Sequence, residues 1–363
     1  MKLDRGYVAN MLLGILALVA CGFFLKTAQG ILLPLVIAWL LSYIVGPVQL
    51  TLTRRHVPAG LATAFIVVLL LAVCYLLILF FHARVTAFAA AYPRYQEKLN
   101  AILTAVTARW QYGWNPLTSV EWSEKVQRFL LDLSGSLFSF VSSLVMVLIF
   151  LVFILQGKPF FEAKVCHAFP GAAAERVNAV LGRITREIGR YLVVQFIISL
   201  VTGALVWFSL SLIGVDFAVT WGAVAFLLNF IPTLGSIVAS VPPVLLAWVQ
   251  FHPNPWPAIT VAVALLAIQT TLGNVISPKV MGDRLNLSPV CVLLSLVFWG
   301  WLWGPVGAIL SVPIASAIKV LCENVDPLRP IAVLMSSGRV YARAGAGAAE
   351  APAAPREGTH EGV

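Results

Sequence analysis

The sequence predicts an all-α polytopic membrane protein with about eight hydrophobic segments. Its C-terminal half reads as an inverted repeat of a span plus a re-entrant helical hairpin. Three observations carry this. First, the 363 residues are 60% hydrophobic and only 11% charged, whereas soluble chains carry about 25% charged residues. So little polar surface cannot cover a water-soluble particle, which excludes a soluble one- or two-domain enzyme. Second, apolar stretches free of Asp, Glu, Lys and Arg run 7–25, 30–50, 59–81, 134–155, 191–213, 217–249, 257–276 and 288–318. Together they make just over half the chain, and each suffices for a transmembrane helix of about 20 residues. Third, two of them are too long for one crossing and are interrupted near the middle.

The elements follow in order. The first stretch begins just after Lys2 and Arg5, like a signal peptide, but no small-residue cleavage site precedes the next span, so it reads as a retained helix. Residues 1–81 form an N-terminal three-helix membrane bundle. The short basic loop Arg54-Arg55-His56 and the N-terminal Lys2 and Arg5 place both on the cytoplasmic side. Residues 82–133 are then external. This segment is rich in aromatics, among them Trp110, Trp114 and Trp122, and turns at Asn115-Pro116. It reads as amphipathic helices near the interface, either an anchor or a small external domain for oligomer contact.

The fourth span and a basic cytoplasmic arm occupy 134–190. Arg176, Arg183, Arg186 and Arg190 share one helical face, suited to anionic lipid or to an inter-domain hinge. Residues 191–321 form the inverted-repeat core. Residues 322–363 are a cytoplasmic tail, disordered from about 336 because it is mostly Ala, Gly, Pro, Glu and Arg. The net charge of +9 follows from this loop bias and from lipid contact, and does not indicate nucleic acid. The five cysteines lack metal-ligand spacing and C-x-x-C, and read as small apolar residues.

The two overlong stretches decide the architecture. As single helices, 217–249 would be about 50 Å long and 288–318 about 46 Å, against a hydrocarbon core of about 30 Å. Asn229-Phe230-Ile231-Pro232-Thr233-Leu234-Gly235 interrupts the first, and Gly304-Pro305-Val306-Gly307 the second. Proline removes a backbone donor and glycine supplies the freedom for a turn. Two helical hairpins result; two kinked spans are the alternative. The linker 250–256 has no Lys or Arg, while 277–287 carries Lys279 and Arg284, and the positive-inside bias then favours hairpins. Hairpins make span 191–213 plus the first hairpin, and span 257–276 plus the second, an inverted repeat of the kind found in secondary transporters.

No ionisable carboxylate or base lies within the eight stretches, which weakens a buried proton relay. The polar groups at depth in the C-terminal half are the amides Gln195, Asn229, Gln269 and Asn274. Amides both donate and accept, which suits a neutral polyhydroxylated ligand; interhelical hydrogen bonding is the competing role. The hairpin tips at Pro232, Gly235, Gly304, Pro305 and Gly307 are candidate gates, since their backbone groups must face protein or water. There is no H-E-x-x-H, no G-x-S-x-G and no phosphate-binding loop, so no enzyme activity, metal or cofactor is expected.

Longer motifs carry a resemblance. Gly214-Val215-Asp216-Phe217, Asn229-Phe230-Ile231-Pro232-x-x-Gly235-Ser236-Ile237 and Val241-Pro242-Pro243-Val244-Leu245-Leu246-Ala247 are similar to the autoinducer-2 exporter family. So are Asn274-x-x-x-Pro278-x-x-Met281-Gly282-x-x-Leu285-x-Leu287-Ser288-Pro289 and Phe298-Trp299-Gly300-Trp301-Leu302-Trp303-Gly304-Pro305-Val306-Gly307. The resemblance implies a permease of the bacterial inner membrane that exports a small polar molecule such as the quorum-sensing signal autoinducer-2. It also implies a homo-oligomer, a pentamer being one form, with elevator-like movement of the hairpin half. Pro278 and Gly282 become hinge or loop positions. Some members are linked to Na⁺ or Li⁺/proton antiport. Close relatives often carry an acid just before the residue matched by Asn274, where this chain has Gly273; any ion coupling by that acid is in doubt here.

The leading expectation is therefore a secondary transporter with Asn229, Gln269 and Asn274 as ligand contacts and Gln195 in support. A monovalent cation/proton antiporter and a non-transporting membrane scaffold are the alternatives. Expected partners are a small-molecule substrate and membrane lipid.

Overall fold

The computed structural model describes residues 5–110, 122–168, 171–232, 234–281 and 286–338, all helix and connecting turns apart from one isolated bridge. Every apolar stretch lies mainly on helix. Among the described residues, six helices are long and apolar enough to cross a membrane. Their surfaces fit lipid rather than water: Leu76 is 63% exposed, Leu266 69% and Val297 68%.

The N-terminal half contains α1 (Arg5–Thr27), α2 (Gln29–Arg54), α3 (Ala59–Trp110) and α4 (Trp122–Ala168). Helix α2 is its hub. Ala38 packs with Ile66 of α3 and with Val147, Leu148, Leu151 and Leu155 of α4. Helix α3 has 52 residues, about 78 Å, far more than a bilayer crossing. Residues 82–110 thus continue the third span as one unbroken helix, and α4 likewise begins well ahead of its own span.

The C-terminal half begins with α5 (Ala172–Ile213), which merges the basic arm and the fifth span into 42 helical residues. It stops at Gly214, whose φ of 82° is the left-handed helix-ending conformation that glycine adopts without strain. Next come α6 (Ala218–Leu228) and α7 (Leu234–Phe251), two antiparallel limbs. Their base is closed by Gln250, whose Oε1 accepts from the Asp216 N–H at 2.9 Å and whose Nε2 donates to the Gly214 carbonyl at 2.9 Å. Helix α6 lies against α5 through paired glycines: a Cβ on Gly222 would come 2.7 Å from the Gly203 carbonyl, and one on Gly203 2.7 Å from the Gly222 carbonyl. Close backbone approach is how helices associate where lipid offers no hydrophobic drive.

Helix α8 (Trp256–Gln269) runs into a π-helical turn, Thr270–Ile276, and then α9 (Ser277–Met281). Helix α10 (Pro289–Glu323) is a second hairpin. Its backbone leaves helical geometry at Trp303 and at Gly304, where φ 65° and ψ −149° suit only glycine. The Ser295 hydroxyl donates to the Ser311 carbonyl at 2.8 Å, which requires the two limbs to lie side by side. The second limb packs with Leu40 of α2 and with Ile184, Ile188 and Leu192 of α5 through Leu310, Val312 and Val320. A short 3₁₀ turn, Asp326–Leu328, leads to α11 (Arg329–Met335).

The basic arm is held by ion pairs. Arg183 meets Glu187 at 2.7 Å and Glu323 at 2.9 Å, and Glu323 meets Lys319, 5% exposed, at 3.1 Å. At least one arginine of the shared face thus turns to α10. The hydrogen bond to Glu187 pushes the Arg183 guanidinium pKa up, fixing its charge.

Candidate functional site

The tip of the first hairpin is where helix geometry fails, and its backbone groups are met by side chains from α5. The carbonyl of Asn229, at the C-terminal cap of α6, accepts from Gln195 Nε2 at 2.7 Å. Asn229 Nδ2 donates to the Ser199 hydroxyl at 3.0 Å, and Ser199 is fully buried. Both amides therefore commit their nitrogens to holding the tip. Their oxygens have no protein partner among the described residues and remain available as acceptors.

Beside this tip lies a cavity of about 1250 Å³. Its walls come from α5 (Gln195, Ile198), the tip and α7 (Asn229, Pro232, Ser236, Ser240), α8 with its π-turn (Gln269, Thr270, Gly273), and the start of α10. Gln269 and Thr270 reach it where the helix widens into π geometry, which reorients side chains and recurs at functional sites. No Asp, Glu, Lys or Arg is among the described wall residues. The wall is polar through amides and hydroxyls, and apolar through Ile198, Val244, Leu265, Val292 and Val312. Such a surface can hydrogen-bond a neutral ligand, and it offers no counter-charge to a multiply charged one.

The predicted residues divide accordingly. Gln195, Asn229, Gln269 and Pro232 meet at the cavity. Asn274 falls in the π-helical turn, and its side chain lies outside the described residues. Pro278 is within α9, its ring outside the description, as is all of Gly282. Gly235 is pressed on the Leu228 carbonyl, and a methyl there would overlap the oxygen. Gly304, Pro305 and Gly307 form the other reversal, which is not part of the described cavity wall. Trp299, Leu302 and Trp303 beside it pack on Leu25 of α1 and Leu32, Leu33 and Val36 of α2, and Trp303 Nε1 donates to the Leu25 carbonyl at 3.3 Å. The two tips thus sit in different surroundings.

Several polar wall residues escaped the sequence reading, among them Thr270, Asn286 and Ser337. Asn286 is the unassigned position between Leu285 and Leu287 of the motif quoted above. Ser337 belongs to the stretch expected as disordered coil, yet it bonds to Asn286. Nothing local in the sequence signals a pairing across 51 positions.

A second polar cluster lies at the base of the first hairpin. The Tyr95 hydroxyl on the prolonged α3 donates to Asp216. Lys98 Nζ donates to the Gln250 carbonyl at 2.9 Å, and Phe217 packs edge-on against Phe88 at 5.5 Å. Burial, then the bond to Asp216, holds the Tyr95 phenol pKa above its ordinary value.

Apolar helices with lipid-facing surfaces, broken in places and enclosing a polar cavity, define a polytopic membrane protein of the transporter class. Comparison with known proteins makes this specific. Residues 13–326 match the AI-2E family transporters, and the chain belongs to that family. It is 35% identical over 326 residues to a protein of Borreliella burgdorferi provisionally named as a transport protein, covering 90% of each chain. It is 31% identical over 339 residues to the AI-2 transport protein TqsA of Escherichia coli K12, covering 92% of this chain and 96% of the relative. It is 31% identical over 343 residues to YhhT of the same organism, also provisionally named as a transport protein, with the same coverage.

Proposed function

We propose that this protein is a secondary transporter that exports a small, neutral, polar molecule by alternating access. One observation carries the reading: the cavity gathers Gln195, Asn229 and Gln269 beside a broken helical tip, and its described wall is uncharged. Unsatisfied backbone at membrane depth is tolerated only against protein or water, and such points are where transporters bind cargo. The amide oxygens of Gln195 and Asn229 would accept from ligand hydroxyls, while Gln269 would both donate and accept. Asn274, in the adjoining π-turn, would complete the site. The name of TqsA makes autoinducer-2 the first cargo to try.

In this reading both hairpins are re-entrant, the first from outside and the second from the cytoplasm. The termini are cytoplasmic, as the Lys and Arg distribution favours, and the membrane is the bacterial inner membrane. The hairpin half moves against the α2–α4 bundle, with homo-oligomers holding the bundle still. The test is uptake of labelled autoinducer-2 into everted vesicles under an imposed proton gradient. Uptake lost on Gln269→Ala or Asn274→Ala, at normal protein levels, supports both cargo and site. Absence of uptake by the unaltered protein removes the cargo.

A second reading has its own support. Two amide oxygens beside a helix break are also ligands for Na⁺. A cation/proton antiporter would show Na⁺-dependent proton movement in the same vesicles without any organic cargo.

A further inference from the structure

We propose that the segment Met335–Ser337, at the C-terminal end of α11, is a movable strap that forms one wall of the cavity, controls entry to it, and presents Ser337 and Asn286 to the ligand. The ligand contact rests on the transporter reading above; the movement of the strap does not.

The attachment is specific. Leu287 and Ser336 form an isolated antiparallel bridge. Ser288 N–H donates to the Met335 carbonyl at 2.8 Å, and Ser337 N–H to the Asn286 carbonyl at 3.2 Å. Asn286 Oδ1 accepts from both the N–H and the hydroxyl of Ser337. Asn286 holds a φ of 40°, a conformation that asparagine tolerates better than bulkier residues, and this turns the loop towards the strap. Its Nδ2 has no partner among the described residues and is left as a donor. The Ser337 hydroxyl, its hydrogen given to Asn286 Oδ1, is left as an acceptor, so the pair can donate to and accept from a ligand hydroxyl.

The attachment is also slight. The walls opposite ride on helices locked by packing: Gln195 on α5, held by Ile188 and Leu192 in one core and by Val206 and Leu210 in another, and Gln269 at the end of α8, held by Val261 and Leu265. The strap instead hangs mainly from hydrogen bonds: it buries Ser336 and the helix before it buries Ala332, while Ile331, Val333 and Leu334 stay exposed. Segments held by few buried apolar contacts open at the low end of a protein's local stabilities. Asn286, Leu287 and Ser337 are cavity walls, so releasing the strap removes wall. Most other described wall residues ride on packed helices, and the tip at Asn229 is clamped by Gln195 and Ser199.

The bridge offers a lock. Its hydrogen bonds join the residues on either side of Leu287 and Ser336, so this is the close, non-hydrogen-bonded type of pair, with Cα atoms about 4.5 Å apart. That lies within the disulfide range of about 4.4–6.8 Å. The test uses the full-length protein in detergent with its native cysteines replaced, carrying Gln269→Cys as reporter and Leu287→Cys/Ser336→Cys as lock. A bulky polar maleimide is added, and modification at position 269 is followed by peptide mass spectrometry. The locked protein should label about tenfold more slowly than the control carrying Leu287→Cys alone. Asn286→Ala/Ser337→Ala, without the lock, should label at least about threefold faster than the reporter parent. A locked rate within about twofold of the control overturns the proposal, whatever the alanine variant does. Labelling needs no cargo, so a responsive strap in a protein without flux would remove the transporter reading and leave the strap standing.

Discussion

The hydroxyl of Ser295 bonds to the carbonyl of Ser311 across 2.8 Å, although sixteen residues of straight helix would separate them by about 24 Å. This bond ties together the limbs of the second hairpin. The turn that permits it needs Gly307, where a side chain would overlap the carbonyl of Trp299. Gly307→Val should therefore abolish folded protein, read as loss of the monodisperse peak in detergent chromatography. Ser295→Ala removes one bond and should cost only about 1 kcal/mol. Gly235, pressed on Leu228 in the first hairpin, should behave as Gly307 does.

The α5–α6 contact predicts a graded effect. Gly222→Ala places a methyl 2.7 Å from the Gly203 carbonyl and from Trp207 Cβ, with backbone on one side and helix on the other. Overpacking of this kind costs about 1–3 kcal/mol. A lower melting temperature is expected for Gly222→Ala and a larger fall for Gly222→Leu, measured by thermal unfolding in detergent.

Gln195 and Gln269 should separate by phenotype. Gln195 caps the Asn229 carbonyl, so Gln195→Leu leaves a buried acceptor unpaired, at a cost of about 1–3 kcal/mol. Gln269 faces the cavity with no protein bond among the described residues. Gln269→Leu should leave the melting temperature unchanged and reduce flux. Equal melting losses in both would contradict the division of roles.

Gly273 lines the cavity, and a Cβ there meets nothing within 4 Å. Gly273→Glu should fold normally and set a carboxylate in an otherwise uncharged described wall. Flux would then become pH-dependent between about pH 5 and 8, since a partly desolvated carboxyl titrates above its ordinary range. The readout is initial rate against pH, compared with the unaltered protein.

The Tyr95 phenol is raised by burial and by its bond to Asp216. A group whose folded value is raised contributes stability that is complete below its unfolded value, about 10 for tyrosine. That contribution disappears as pH rises towards the folded value. Tyr95→Phe should lower stability at pH 7 by about 1–2 kcal/mol and flatten the alkaline fall, seen in melting temperatures from pH 8 to 11.

What the sequence made legible follows from what lipid demands. A bilayer favours long uncharged helices, so each apolar stretch could be placed on helix, and Pro232 and Gly304 could be read as breaks because each sits in a proline- and glycine-bearing run midway along a stretch too long for one crossing. The amides Gln195, Asn229 and Gln269 stood out because polar side chains are rare there. Other features depend on partners that local pattern does not encode. The Gly304 turn shares its punctuation with the first tip, yet only packing reveals that Trp303 lies on α1. The π-turn at Thr270–Ile276 has no composition signal. Residues 82–110 carry the aromatics of an interfacial segment, but they are helix formers continuous with a helix, and nothing near residue 81 stops it.

That continuity has a mechanical consequence. Tyr95 and Lys98 grip the base of the first hairpin from a rod rooted in the α2–α4 bundle. Any displacement of the hairpin along the membrane normal must slip both contacts at once. In the alternating-access cycle proposed above, the rod would act as a detent: it would give the hairpin half one preferred height, and the aromatic seat of Phe217 on Phe88 would set how hard the hairpin must be pushed to leave it.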